Sequence, residues 1–273
     1  MSRVSPPRIY CIPASDAPVV AVLRRGPTEW AHVGRWDLEN RRYEPGAWLH
    51  GRIFPRRSDL SPDGRHLCTF VHQPGADWEH GETYILLSRL PWLTALHASR
   101  TDGTWTRGWH FTAERGGDDP ELAELPLRYG LRVTRPIQFA TERRRGWEET
   151  EDSPPRDAAD TWDERRNVRL RKRQPGGDHV LCVESVGQAG GEFGKGQAID
   201  GLRLRYSLED ADDIALLDDV QWADWDREGR LLVATRDGRL QIRGADARSI
   251  AFEENLSGLK PDPAPAPDWA GEW

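Results

Sequence analysis

Lysine is almost missing from this chain. Of its 38 Lys and Arg residues, only Lys172, Lys195 and Lys260 are lysines. A GC-rich coding bias accounts for that, but it has a physical consequence. The surface offers planar, stacking, bidentate donors in place of mobile ammonium groups. Cysteine is scarce too. Cys11, Cys68 and Cys182 are odd in number and widely spaced, with no C-x-x-C pair. This excludes a disulfide framework and a zinc knuckle, and leaves buried reduced thiols as the expectation. No apolar run approaches the ~20 residues of a membrane-spanning helix. The opening Met-Ser-Arg-Val-Ser-Pro-Pro-Arg has no apolar core of the signal-peptide kind. A cytoplasmic protein with no membrane partner is therefore expected.

A basic excess is absent as well. The net charge is −7, divided as +3 over residues 1–110 and −10 over the remainder. Broad nucleic-acid binding needs a basic footprint to displace counterions, so nucleic acid is not an expected partner. Catalytic signatures are missing. Ser88, Cys11 and Cys182 carry no local activation pattern, and no Ser-His-Asp or Cys-His arrangement follows from spacing. The glycine-rich run Gly187–Gly196 lacks the Gly and Ser/Thr that a phosphate loop requires, and reads as a surface loop. His66, Cys68 and His72 fall on one face of a strand, but six residues of strand separate the two histidines by about 20 Å, too far to share one ion. No metal and no cofactor are implied.

What the chain does contain is strand and turn. Asp59-Leu-Ser-Pro-Asp-Gly-Arg-His-Leu-Cys-Thr-Phe70 and Asp224-Trp-Asp-Arg-Glu-Gly-Arg-Leu-Leu-Val-Ala-Thr235 repeat one unit: Asp, an apolar residue, a turn closing on Gly-Arg, then a strand. Trp30–Trp48 reads as a hairpin around Glu39-Asn40, and Tyr84–Leu87 as a strand buried on both faces. Thr101–Trp105 carries a further Asp-Gly turn signal. Val168/Leu170, Leu202/Leu204/Tyr206 and Leu240/Ile242 alternate with arginines, as half-exposed antiparallel strands require. Asp237-Gly238 marks a hairpin. Helical propensity is tolerable only in two short acidic stretches, Arg156–Arg166 and Ser207–Leu217, which read as loops with a turn or two of helix. Thr141–Asp163 reads as a long insertion.

The motif Asp59–Leu67 resembles the repeat of TolB-type and WD-repeat-like β-propellers, and Asp224–Arg243 resembles an inner half-blade of one. The two copies begin 165 residues apart, about four steps of a four-stranded blade. The expectation is an all-β chain forming a single β-propeller of about five four-stranded blades, with six as the alternative. The propeller would occupy residues 8–256, with a Pro-rich extended tail at 257–273 in which Trp269 and Trp273 can act as anchors. Closure is expected to pair a strand near Arg8–Pro13 with the last blade. The resemblance further implies that Arg57–Asp59 and Gln221–Asp224 flank a central channel.

Two functional readings follow. Propellers host many activities, and five-bladed ones include glycoside hydrolases. Asp59 and Asp224 are therefore the catalytic candidates, as an acid and nucleophile pair. Against this, a repeated Asp suits a repeated structural job, bonding the backbone of its own following turn. The thirteen Trp and the many Arg instead suggest binding, because Trp and Arg dominate interaction hot spots. Trp30, Arg35, Trp36, Arg57, Trp105 and Trp222 are the binding candidates. The leading expectation is a monomeric, non-catalytic adaptor or scaffold for a protein or peptide partner.

Overall fold

The computed structural model describes residues 6–26, 29–77, 79–104, 106–118, 120–134, 139–151, 168–185, 203–210, 213–244 and 246–273. It forms two compact units. One comprises Cys11–Arg135 with Lys260–Trp273, the other Met1–Tyr10 with Pro136–Leu259.

In chain order, β1 (Arg8–Pro13), β2 (Val19–Arg25), β3 (Trp30–Asp37) and β4 (Arg42–His50) make a first sheet of order β1-β2-β3-β4. A second follows from β5 (Arg52–Leu60), β6 (His66–His72), β7 (Thr83–Arg89) and β8 (His97–Arg100), again in sequence order. The strands β9 (Trp109–Thr112) and β10 (Gly130–Val133) form a two-stranded sheet around the short helix α1 (Pro120–Glu124). After α2 (Ala140–Arg144) come β11 (Glu148–Glu149), β12 (Arg169–Arg173), β13 (Val180–Ser185), β14 (Leu204–Glu209) and β15 (Ile214–Leu216) in one five-stranded meander. The last sheet holds β16 (Val220–Trp225), β17 (Leu231–Thr235), β18 (Arg239–Arg243) and β19 (Ile250–Asn255).

Consecutive antiparallel meanders of about four strands are the blades of a β-propeller, and the chain is all-β of that type. The five complete blades expected from the spacing are four among the described residues, with β9 and β10 as a two-stranded remnant. Between residues 101 and 134 no four-stranded sheet forms among the described residues. The Asp102-Gly103 turn there joins β8 to β9, which belong to different sheets, so it closes no hairpin. A second correction concerns closure. β1 is the edge strand of the first sheet, and the last sheet has four strands of its own. The backbone of residues 7–9 is instead held by one side chain: Gln221 Oε1 accepts from Ile9 N at 2.9 Å, and its Nε2 donates to the carbonyls of Pro7 (3.2 Å) and Thr235 (2.6 Å).

Two further expectations change. Most of Ser207–Leu217 is neither loop nor helix: Ser207–Glu209 belong to β14, which pairs with β15 (Ile214–Leu216), and Asp210 N donates to the Asp213 carbonyl. The first third of the expected insertion is packed structure: Thr141–Arg144 lie in α2, Trp147 is buried, and β11 pairs with β12. The rest of that stretch, the Arg156–Arg166 candidate and the Gly187–Gly196 loop lie outside the described residues. No helix among the described residues is long and apolar enough to cross a membrane.

Burial explains the strand content. β2, β7 and β16 are buried on both faces over most of their length, whereas β14 alternates buried Leu204, Tyr206 and Leu208 with exposed Arg205. Phe70, Trp109 and Phe111 centre one core, and Phe139, Trp147 and Trp225 centre another. In the tail, Ala270 is buried in a 3-10 turn over Asp268–Gly271, and Arg89 lies 5.1 Å over the Trp269 ring.

Candidate binding surface

The repeated turns show which groups are structural. Gly64 and Gly229 sit at φ +72° and +76°, a left-handed conformation that other residues resist. In the first copy Ser61 Oγ accepts from Arg65 N at 3.2 Å and His66 N at 2.9 Å. In the second copy the equivalent residue, Asp226, accepts from Glu228 N at 2.9 Å and Arg230 N at 2.8 Å. The turn is therefore capped two residues after Asp59 and Asp224, not by them.

Those two carboxylates do something else. Asp59 is buried, and its Oδ2 accepts the Phe111 N–H of β9 at 2.9 Å, tying the second sheet to the two-stranded one. Asp224 is also buried. Its Oδ1 accepts from Lys172 Nζ of β12 at 2.6 Å and from Trp225 N at 2.8 Å. Lys172 returns its carbonyl to Trp225 Nε1 at 3.1 Å, so β12 and β16 are latched twice. The two aspartates belong to different compact units, and each is bonded within its own.

Several binding candidates are likewise engaged inside the fold. Trp36 and Trp222 are buried side chains. Arg57 lies 5.1 Å over Phe54 and 5.2 Å over Phe70, and donates to the Thr104 carbonyl. Trp105 lies outside the described residues. Arg35 pairs with Asp37 at 3.7 Å and Glu44 at 3.5 Å on β4.

Trp30 stands apart. It is half-buried opposite His50, while His32 sits opposite Trp48 in the β3–β4 register. The Trp30 ring meets Trp48 edge-on at 6.4 Å and His50 at 5.1 Å. Behind this row, His32 packs 4.4 Å from Trp48 and bonds Tyr43 through Nδ1 at 3.1 Å. The buried Arg24 guanidinium lies 5.6 Å over Trp48. Burial pushes the His32 pKa down to about 4, with the positive charge of Arg24 adding to it. Burial also lowers Arg24, partly offset by Tyr43. The row is thus a rigid aromatic ledge across β3 and the edge strand β4 of the first sheet, backed by a buried cation and a neutral imidazole. His50 and Arg24 were missed from sequence because β4 carries an extra residue between Pro45 and Trp48, and without that irregularity the pairing cannot be registered.

The ledge depends on a missing side chain. A Cβ at Gly34 would stand 2.1 Å from the Tyr43 hydroxyl and 2.4 Å from its ring. Gly34→Ala is expected to displace Tyr43 from His32 and to cost ~1–3 kcal/mol as overpacking. A thermal melt checks this; an unchanged Tm would mean that Tyr43 moves aside freely.

Other chemistry is muted. All three cysteines are buried thiols. Burial raises Cys11 well above its ordinary value, and burial together with Glu209 pushes Cys182 up to about 11, so neither is poised as a thiolate. Among the described residues, no group of three His, Cys, Asp or Glu is placed to hold a metal ion. The chain matches no protein-family model and no curated protein.

Proposed function

We propose that this propeller is a non-catalytic binding module, a monomeric adaptor or scaffold. It takes a protein or peptide partner on the aromatic ledge of the β3–β4 hairpin. The observation that carries this reading is the edge-to-face row of half-buried Trp30 and Trp48 with exposed His50, and Arg24 packed against Trp48. Rings already locked against each other lose little entropy on binding and present a large apolar area. The ion-paired Arg35 lies on the same hairpin and can supply polar contacts. The glycosidase alternative draws no support from Asp59 and Asp224. Both are buried and bonded to partners in their own units, whereas an acid and nucleophile pair would need to meet at a sugar.

The test is an affinity capture from host lysate with the wild-type protein and a Trp30→Ala/Trp48→Ala variant side by side, with thermal melts run on both. A partner retained by the wild type and lost from a still-folded variant supports the reading. Equal capture by both, or hydrolysis of aryl glycosides by the wild type that Asp224→Asn abolishes, sinks it.

A further inference from the structure

The two most exposed large apolar side chains among the described residues are Ile214 at 61% and Leu216 at 57%. Both lie on β15, the edge strand of the five-stranded sheet. Ile214 stands opposite Glu209 and Leu216 opposite Ser207, so the two side chains share one face, while the intervening Ala215 stands opposite buried Leu208.

The backbone pattern is more informative than the side chains. Asp210 N donates to the Asp213 carbonyl and Leu217 N donates to the Tyr206 carbonyl. Antiparallel pairs alternate between bonded and non-bonded, so residues 213, 215 and 217 face β14. Ile214 and Leu216 then turn their peptide groups outward. The Ile214 N–H is already met by Asp213 Oδ1 at 2.8 Å. Among the described residues the Leu216 N–H has no such cover. Native edges are blunted by short strands, charge, proline or bulges; β15 is short, at three residues, but those residues are uncharged and the charge lies at both ends. Asp210 and Asp213 precede the strand, Asp218 and Asp219 follow it, and all four are exposed. Of the nearby cations, Arg243 bonds Asp219 at 3.3 Å, and Arg236 is held on the carbonyls of Asp218 and Leu204.

We infer that β15 is a docking edge for an extended peptide segment with alternating β-branched residues and basic ends, which adds a strand to this sheet. Main-chain bonds to Leu216 give affinity, Ile214 and Leu216 seat the alternating side chains, and the flanking aspartates select for Lys or Arg. A second copy of this chain is the disfavoured occupant. Antiparallel self-pairing would set the Asp210/Asp213 end against the Asp218/Asp219 end, and like charges across a pair are destabilising. This surface is independent of the β3–β4 ledge.

The probe is a fluorescein-labelled peptide, KRTVTVKR, with EETVTVEE as its charge-reversed counterpart, followed by fluorescence anisotropy on the full chain. Saturable binding of the basic peptide is expected, at least tenfold weaker for the acidic one and for two variants. Leu216→Pro removes the outward N–H, a change edge strands tolerate. Leu216→Lys keeps the backbone and adds a repelling charge should the proline variant fold poorly. No binding by the wild type, equal binding of both peptides, or affinity unchanged by a folded Leu216 variant overturns the proposal. So does sedimentation showing a dimer that Leu216→Pro dissolves. The Trp30→Ala/Trp48→Ala variant should bind the basic peptide like the wild type, which separates failure of this edge from failure of the ledge.

Discussion

Lys172→Met is expected to cost about 3–5 kcal/mol of folding stability, the range for removing one partner of a buried ion pair. Lys172 and Asp224 meet at 2.6 Å with side-chain exposures of 17% and 5%. Without the ammonium, Asp224 keeps only the Trp225 N–H among its bonds, which cannot replace the hydration a carboxylate loses at that depth. The reverse change should hurt less. Asp224→Asn leaves the Trp225 bond possible, and Lys172, the more exposed partner, can carry its head toward water on a flexible stem. The double variant Lys172→Met/Asp224→Leu should recover most of the loss, because swapping a whole buried pair for apolar volume is often neutral. Urea unfolding at neutral pH with a constant m-value measures all three. If Lys172→Met lies within about 1 kcal/mol of the wild type, the pair behaves like a surface one and the latch between β12 and β16 rests on the Trp225 Nε1 bond alone.

That latch also marks where sequence reasoning stops. The repeated turn was legible because turn chemistry is local: a left-handed Gly, a capping Ser61 or Asp226, and a strand on each side. The fates of Asp59 and Asp224 were not. Their partners Phe111 and Lys172 each lie 52 residues away, and no spacing rule connects them. The same limit applies to the aromatics. Trp36 and Trp225 vanish into the core while Trp30 and Trp48 remain half-exposed, and because Trp30 and Trp36 share β3, no strand-level pattern tells them apart. Ser207–Leu217 misled for a different reason. Its acidic residues between Asp210 and Asp213 interrupt the alternation, so two short strands look like loop with a turn of helix. The exposed Ile214 and Leu216 were hidden by that misreading.

A pH series comparing the wild type with His32→Gln is expected to separate their stabilities by up to about 3 kcal/mol between pH 7 and pH 4. The sign follows from where the proton goes. In the unfolded chain His32 titrates near its ordinary value of about 6.5. Folded, burial first and Arg24 second hold it down at about 4. Between those values the unfolded chain binds more protons than the native one, so acid favours unfolding. The stability tied to the neutral ring is whole above about pH 6.5 and is lost as pH falls toward 4. Carboxylates elsewhere titrate in both proteins and cancel in the comparison, leaving His32 as the difference. Glutamine retains a group that can bond Tyr43 but has no charge to acquire, so its curve should be flatter even if packing lowers it at neutral pH. Parallel curves would show that the ring takes up its proton without cost. The expected divergence would also reach the proposed ledge. His32 packs against Trp48, and Trp48 against Trp30, so a charged His32 beside Arg24 would push apart the rings meant to hold a partner. Native His32 takes up its proton only near pH 4, so partner capture should weaken as pH falls through about 4, at the lower end of the range where the stability curves separate.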